Sequence, residues 1–508
     1  MTTQKFSFLP CRISPSMHLV LLLATMLVGC EQRTKSELVW KSDLPVIGSQ
    51  SSPRVADLNL DGVLDIIMGA GNNEGQNSQQ GIIAINGLTG DVLWQQKSND
   101  QVYGSATFYD INDDGVVDVF IGGRTPEFKA LNGKTGEVLW QFVYNEEHEK
   151  DSILKYAKFN FNSSVLVPDQ NNDGYPDLLN VNGGNSLAIP GSEKDRYPGV
   201  LMLFDIRTGN ILAADTMPDG RESYMSPLSF VDPVSHESLI IFGTGGETLT
   251  GNLYVAQLSD LMNRKLSRAI VIATENHHGF IATPVLADIT KDGYPDIMAI
   301  SHASTAIALD GKTHEVLWKR VIPNTECSNS FAVGQFTGDD TPDFFTFVSK
   351  GEWPNNTGSL QVMIDGANGE IKFMDSIGCT GFSSPVAFDM DNDGVDEAII
   401  SINEFDCVGG FTDAAIKEIE NKLLMINFKN GKKQVIDQSQ GFKNIFSTPW
   451  IGDLDNDGYL DVVHCQYFSH GGLLSFLGTT IKRIELPVKV NKEVRWGAYM
   501  GSHSDGRY

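Results

Sequence analysis

The chain has 508 residues, 41% hydrophobic and 20% charged, with 50 glycines and a formal net charge of −26. That composition suits a compact, turn-rich globular protein and excludes a disordered or membrane-spanning chain. The negative charge, with no cluster of Lys and Arg, excludes a nucleic-acid surface, which needs a basic face.

The first 29 residues carry Lys5 and Arg12 and then an apolar run from His18 to Leu27. The run is far shorter than the roughly 20 residues that span a bilayer. It is predicted to be an export signal. The following Leu27-Val28-Gly29-Cys30 resembles the lipobox of bacterial lipoproteins. That resemblance implies cleavage before Cys30, a lipid on its sulfur and a membrane anchor on the bacterial cell envelope, with 30–36 as tether. Glu31 in place of Asp favours the outer membrane. Cys327, Cys379, Cys407 and Cys465 remain in the mature chain, where export permits disulfides, and all three full pairings stay open.

From here the chain repeats itself. Asp57-Leu-Asn59-Leu-Asp61-Gly62-Val63-Leu-Asp65 recurs as Asp110-Ile-Asn112-Asp-Asp114-Gly115-Val116-Val-Asp118 and as Asp169-Gln-Asn171-Asn-Asp173-Gly174-Tyr175-Pro-Asp177. Further copies are Asp288-Ile-Thr290-Lys-Asp292-Gly293-Tyr294-Pro-Asp296, Asp389-Met-Asp391-Asn-Asp393-Gly394-Val395-Asp-Glu397 and Asp453-Leu-Asp455-Asn-Asp457-Gly458-Tyr459-Leu-Asp461. Two more read as degraded: Gln335 to Asp343, with Asp340 in the glycine slot, and Phe230 to Glu237, which keeps only the place. A second signature trails the first, in Asn86-Gly87-Leu-Thr89-Gly90-Asp-Val-Leu-Trp94 and Asn132-Gly133-Lys-Thr135-Gly136-Glu-Val-Leu-Trp140, with shorter echoes at Asp205, Asp310 and Asp365. Each is a turn between β-prone runs and reads as a hairpin.

One repeat therefore holds four strands, as in Pro53 to Ala56, Asp65 to Gly69, Gly81 to Ile85 and Val92 to Gln96. Such units cannot bury their faces singly, and a closed ring of blades solves that problem. The fold predicted for 37–508 is an all-β, single-domain β-propeller of eight four-stranded blades, or seven if the unit near Asp232 is not a blade. Glu37 to Lys41 reads as an orphan fourth strand that closes the ring, and Asp413 to Lys422 as the one candidate amphipathic helix.

The acidic copies resemble the FG-GAP/VCBS calcium-loop repeats of integrin α-subunit propellers and bacterial surface proteins. The Thr-Gly-x-x-Leu-Trp copies resemble the blades of quinoprotein-dehydrogenase-like propellers. Calcium takes six to eight oxygen ligands, which alternate positions of a tight loop can supply. The expected ligands are the side chains of Asp57, Asn59, Asp61 and Asp65 with the carbonyl of Val63, and the matching residues of the other five intact copies, so up to six calcium ions are expected. Without a cation, the three or four carboxylates of each copy should repel and loosen the loop.

The opposite face is expected to carry binding, since it gathers the longer loops. Candidates there are Arg124, Arg196, Arg221, Tyr224, His277, His278, His302, Trp353, Glu404 and His470. They form no recognisable catalytic set, and no nucleophile-elbow or zinc-protease motif occurs. Vicinal cysteines, typical of quinone-dependent relatives of this fold, are absent too. The expectation is a scaffold binding a protein or glycan, similar in outline to the propeller lipoprotein of the barrel-assembly machinery, with a calcium-dependent polysaccharide lyase as the alternative.

Overall fold

A computed structural model describes residues 35–508 apart from 186, 190–191, 354, 408–417 and 470–474. The segment read as an export signal, Cys30 and His470 lie outside the described residues. The β-rich repeats form eight antiparallel sheets, spanning 54–98, 107–143, 160–216, 228–275, 285–321, 325–375, 386–440 and 442–489. These are blades 1 to 8. The unit near Asp232 is therefore a true blade, and eight is the count.

The sequence runs account for the layering. Second and third strands are apolar almost throughout, and Ile66, Ile67, Met68, Ile83 and Ile85 are fully buried because each blade is covered on both faces by its neighbours. Fourth strands are mostly exposed with isolated buried positions, as in blade 1, where Val92 and Leu93 are exposed and Trp94 is buried. The strand Glu37–Pro45 pairs with Gly478–Lys489 as the outermost strand of blade 8. Ring closure thus joins the two ends of the chain, as expected from the orphan strand.

The second signature locks blade to blade. Trp94 donates its indole N–H to the Gly133 carbonyl of the next blade at 2.7 Å, and Trp40, Trp140 and Trp318 repeat the contact with Gly87, Ile206 and Gly366. Each ring also lies on the hairpin glycine: a Cβ at Gly136 would sit 2.6 Å from Trp94, and one at Gly209 2.5 Å from Trp140. Where the preceding blade brings no tryptophan, as at blade 5, His314 takes the glycine's place with φ 62°. Replacing Trp94 with alanine should destabilise the protein by about 3–5 kcal/mol, since it opens a cavity and orphans a carbonyl. Equilibrium unfolding would measure it.

Three sequence expectations change. Asp232 to Glu237 is not a worn calcium loop: its N–H and carboxylate bonds, Asp232 to Glu237, His236 to Asp232, and Val234 and Ser235 to the Asp232 side chain, repeat those of Asn86 to Asp91 in the hairpin signature. Residues 420–422 are not helical, because Glu420–Ile426 pairs along Ala398 to Glu404 and alternates its burial; 413–417 lie outside the described residues. Short helices occur instead at Glu146–Lys150, capped by Asn145 and His148, and at Leu258–Met262. Of the open pairings, Cys379–Cys407 forms a disulfide, while Cys327 and Cys465 are free and buried.

The tail past Lys489 was not foreseen. It enters the ring's axis, where the N–H groups of Ala387, Ile451 and Leu286 on innermost strands donate to the carbonyls of Trp496, Gly497 and Gly506. Trp496 is 1% exposed, so the axis is plugged by the chain's own C-terminus.

Polar groups are also sealed between blades 7 and 8. His464 is fully buried, with Nε2 3.2 Å from Ser401 Oγ and Nδ1 4.0 Å from Asp437, which Lys482 neutralises at 2.6 Å. Burial, the largest cause, holds its pKa down at about 4 from 6.5. The folded state therefore wants the neutral ring. Stability from this group is complete above pH 6.5 and is lost as pH falls towards 4, by up to about 3 kcal/mol. Urea midpoints from pH 7 to 5 should fall more steeply for the native chain than for His464→Gln.

Candidate functional site

The acidic loops join first to second strands and share one face with the Thr-Gly hairpins. In blade 1 the Asp57 carboxylate accepts from the N–H groups of Asp61 and Gly62 at 3.2 and 3.0 Å, Asn59 Oδ1 from Asp61 at 2.9 Å, and Asp61 Oδ1 from Val63 at 2.9 Å. The fourth residue of every intact copy is left-handed, Leu60, Asp113, Asn172, Lys291, Asn392 and Asn456 having φ of 58° to 62°. The glycines that follow two residues later have φ of 82° to 90°, a conformation a Cβ disfavours. The copy at Gln335 keeps the left-handed fourth residue, Gly338, but Asp340 in the glycine slot is not left-handed.

The ninth residue does a second job. Asp65 accepts from Leu58 within its loop at 2.9 Å and from Gly87 of the hairpin at 3.0 Å; Asp118 and Asp296 repeat this with Ile111 and Gly133, and with Ile289 and Gly311. Burial pushes these carboxyls upward, Asp177 to about 6 and Glu397 to about 7. A buried anion short of positive partners is what such a shift records. The degraded copy keeps Asp343 in the same role, also pushed to about 6 by burial.

The six copies are not equal. Carboxylate oxygens of Asp389, Asp391 and Glu397, and of Asp453, Asp455 and Asp461, converge within 4.8 Å. In blades 1 to 3 the third-position amides hold neighbouring carboxylates, Asn59 on Asp61, Asn112 on Asp118 and Asn171 on Asp205. In blade 5 the Thr290 N–H donates to Asp296. The two four-carboxylate loops carry built-in cations. Arg483, 1% exposed, binds Asp461 at 2.8 and 3.0 Å and Asp455 at 2.6 Å, while Lys429 and Lys492 approach Asp393 and Asp389.

On the other face a funnel of about 440 Å³ opens over the axis. Arg124, Arg196, Tyr103, Tyr224, Asn160 and Asn162 are among its walls, and Tyr499 from the axial tail is at its base. Arg124 pairs with Glu74 and lies 5.8 Å from the Tyr103 ring centre. Arg196 donates to Glu222 at 2.6 Å and to the Tyr224 hydroxyl at 3.1 Å. Burial, aided by Glu222, raises the Tyr224 pKa well above its usual value. Of the other candidates, Arg221 is half-buried, Glu404 pairs with Lys422, and Trp353 packs edge-on against Phe382 of the funnel wall. His277 is exposed, whereas His278 meets the buried His302, their ring centres 5.2 Å apart.

The funnel's base was missed by sequence reasoning, although a signal exists. A hydroxyl residue precedes the innermost strand of each blade, often as Ser-Pro or Thr-Pro: Ser52, Ser226, Thr283, Ser384, Thr448. Around the axis the N–H of one blade's residue donates to the next blade's hydroxyl, Ser384 to Thr448 at 2.9 Å and Thr448 to Ser52 at 3.0 Å. Ser330 to Ser384, Ser105 to Ser163 and Ser163 to Ser226 repeat it.

Eight four-stranded antiparallel blades closed into a ring define the class: an eight-bladed β-propeller. No protein-family description and no curated protein matches the chain. Solved structures do. A europium-containing methanol dehydrogenase is similar at TM-score 0.58 and 12% identity, over 89% of this chain and 93% of that one. The quinohemoprotein alcohol dehydrogenase from Comamonas testosteroni gives 0.54 and 11%, over 92% and 79%. The exotype rhamnogalacturonan lyase YesX gives 0.50 and 13%, over 87% and 75%. At these identities the likeness is one of fold.

Proposed function

We propose that this is a binding propeller, ordered by calcium in its acidic loops and anchored to the bacterial envelope through Cys30, that holds a protein or glycan at its funnel face. The observation that carries this is the funnel: arginines, tyrosines and amides converge on a cavity of about 440 Å³. Such a lining, its arginines paired with Glu74 and Glu222, recognises hydroxyls and sugar or aromatic faces. The six loops share the left-handed turn and alternating oxygen donors that calcium requires. The Cys379–Cys407 disulfide suits an oxidising compartment outside the cytoplasm.

A lyase is the second reading, favoured by one contact: Tyr224 beside Arg196 could pair a proton acceptor with a carboxylate-binding cation. Its electrostatics oppose it. Burial and Glu222 raise the Tyr224 pKa, and Arg196 is already committed to Glu222. A general base needs the reverse.

The test is mass spectrometry of what co-purifies with the lipidated protein from membranes, in calcium and in chelator. A specific protein or glycan retained in calcium and lost in Arg124→Ala supports binding. An empty preparation, or cleavage of acidic polysaccharides abolished by Tyr224→Phe, would overturn it.

A further inference from the structure

Three residues far apart in the chain meet beside the funnel. His278 lies in the link between blades 4 and 5, His302 follows the second strand of blade 5, and Glu326 is in the broken first strand of blade 6. A ring nitrogen of each histidine and a carboxylate oxygen of Glu326 all lie within 4.8 Å of one another. His302 and Glu326 are buried, with 2% and 6% exposure.

The hydrogen bonds decide what the nitrogens can do. His302 Nδ1 is 3.0 Å from the Cys327 carbonyl, and His278 Nδ1 contacts the Glu247 carbonyl. A carbonyl only accepts, so each Nδ1 carries the proton and donates, which leaves each Nε2 with a bare lone pair. His302 Nε2 makes no hydrogen bond, and its nearest carboxylate oxygen is Glu326 Oε1 at 3.7 Å. The other oxygen, Glu326 Oε2, accepts from the Trp353 N–H at 2.8 Å. Two acceptors thus face each other in a buried space, an arrangement that costs stability unless a proton or a metal cation lies between them, and the second histidine at the same point supplies the further nitrogen that a metal uses and a proton does not need. In His302, Nδ1–H held by a carbonyl with Nε2 turned towards Glu326 is also how metal-binding histidines are oriented.

The spacing fits a small ion. Ligands at about 2.0–2.1 Å from a tetrahedral zinc stand about 3.3 Å from each other; the 3.7 Å between His302 and Glu326 needs only a slight closure, and the separations to His278, within 4.8 Å, are closed by turning that partly exposed ring. The backbone is braced for it, since His302 N–H donates to the Gly279 carbonyl and Gly279 N–H to Gly246. Calcium is a poor fit to two nitrogens and one oxygen.

We propose that His278, His302 and Glu326 bind a divalent transition metal of the zinc class, distinct from the acidic loops on the opposite face. Three protein ligands leave a fourth position for water or for a ligand atom. Glu247 and Ser328, which hold the two histidines, also line the funnel, so the metal stands against its wall.

The experiment uses the full mature chain, free of any histidine tag and saturated with calcium. Zinc is titrated by calorimetry and cobalt(II) by visible absorption. One tight zinc per chain is expected, with cobalt bands of nitrogen and oxygen ligation and no thiolate charge transfer. His302→Ala and Glu326→Gln should each weaken zinc at least about 100-fold, more than the loss of an outer-shell partner. Should His302→Ala fail to fold, His278→Ala, at a partly exposed link residue, carries the same test. No zinc bound by the native chain, zinc unchanged in His278→Ala, or zinc lost only on changing Asp61 and its counterparts would each overturn the site.

Discussion

Calcium added to the chelated protein is expected to raise its Tm by about 10 °C, and magnesium by much less. A ligand at 100 times its Kd stabilises the folded state by about 2.7 kcal/mol per site. Several of the six loops filling together would contribute about 10 kcal/mol, and each kcal/mol moves the Tm of a protein this large by only a degree or two. The ninth-position carboxyls, pushed up by burial in the ion-free chain, are where a cation removes the largest penalty. Magnesium demands a stricter octahedron and holds its water. The check is a thermal melt in chelator, calcium and magnesium. Coincident curves would remove calcium from the account of this protein.

The second large effect lies at Arg483. In chelator, Arg483→Met is expected to cost about 3–5 kcal/mol, because it leaves Asp461, fully buried, without its charge partner. Calcium should restore more stability to this variant than it adds to the native chain. The guanidinium and an ion would otherwise compete for Asp455 and Asp461. Urea midpoints of both proteins in both conditions give the comparison. An equal calcium increment in the two would mean that the blade 8 loop takes no ion even when freed.

Much of this was legible before folding. The acidic copy at Asp57 and its successors mark the link between first and second strands, because a nine-residue turn is a local object whose glycine and carboxylate positions follow from backbone geometry alone. The same locality let Glu37 to Lys41 be read as a strand without a partner. It failed where local likeness misled: Asp232 to Glu237 occupies the place of an acidic loop but makes the bonds of the other hairpin. The run before Leu423 looked helical, although the strand partner across from it decides otherwise.

By itself the sequence determined the repeat, its four strands, the eight-fold count within one blade and the two turn types on one face. Those depend on period and turn chemistry, which act over a dozen residues. Only the tertiary structure decided which glycines tryptophans require, that Arg483 stands among the blade 8 carboxylates, that the C-terminal tail fills the axis, and that His278, His302 and Glu326 meet. In each case the partners come from different blades or strands, and ring closure brings them together through packing that no local pattern records.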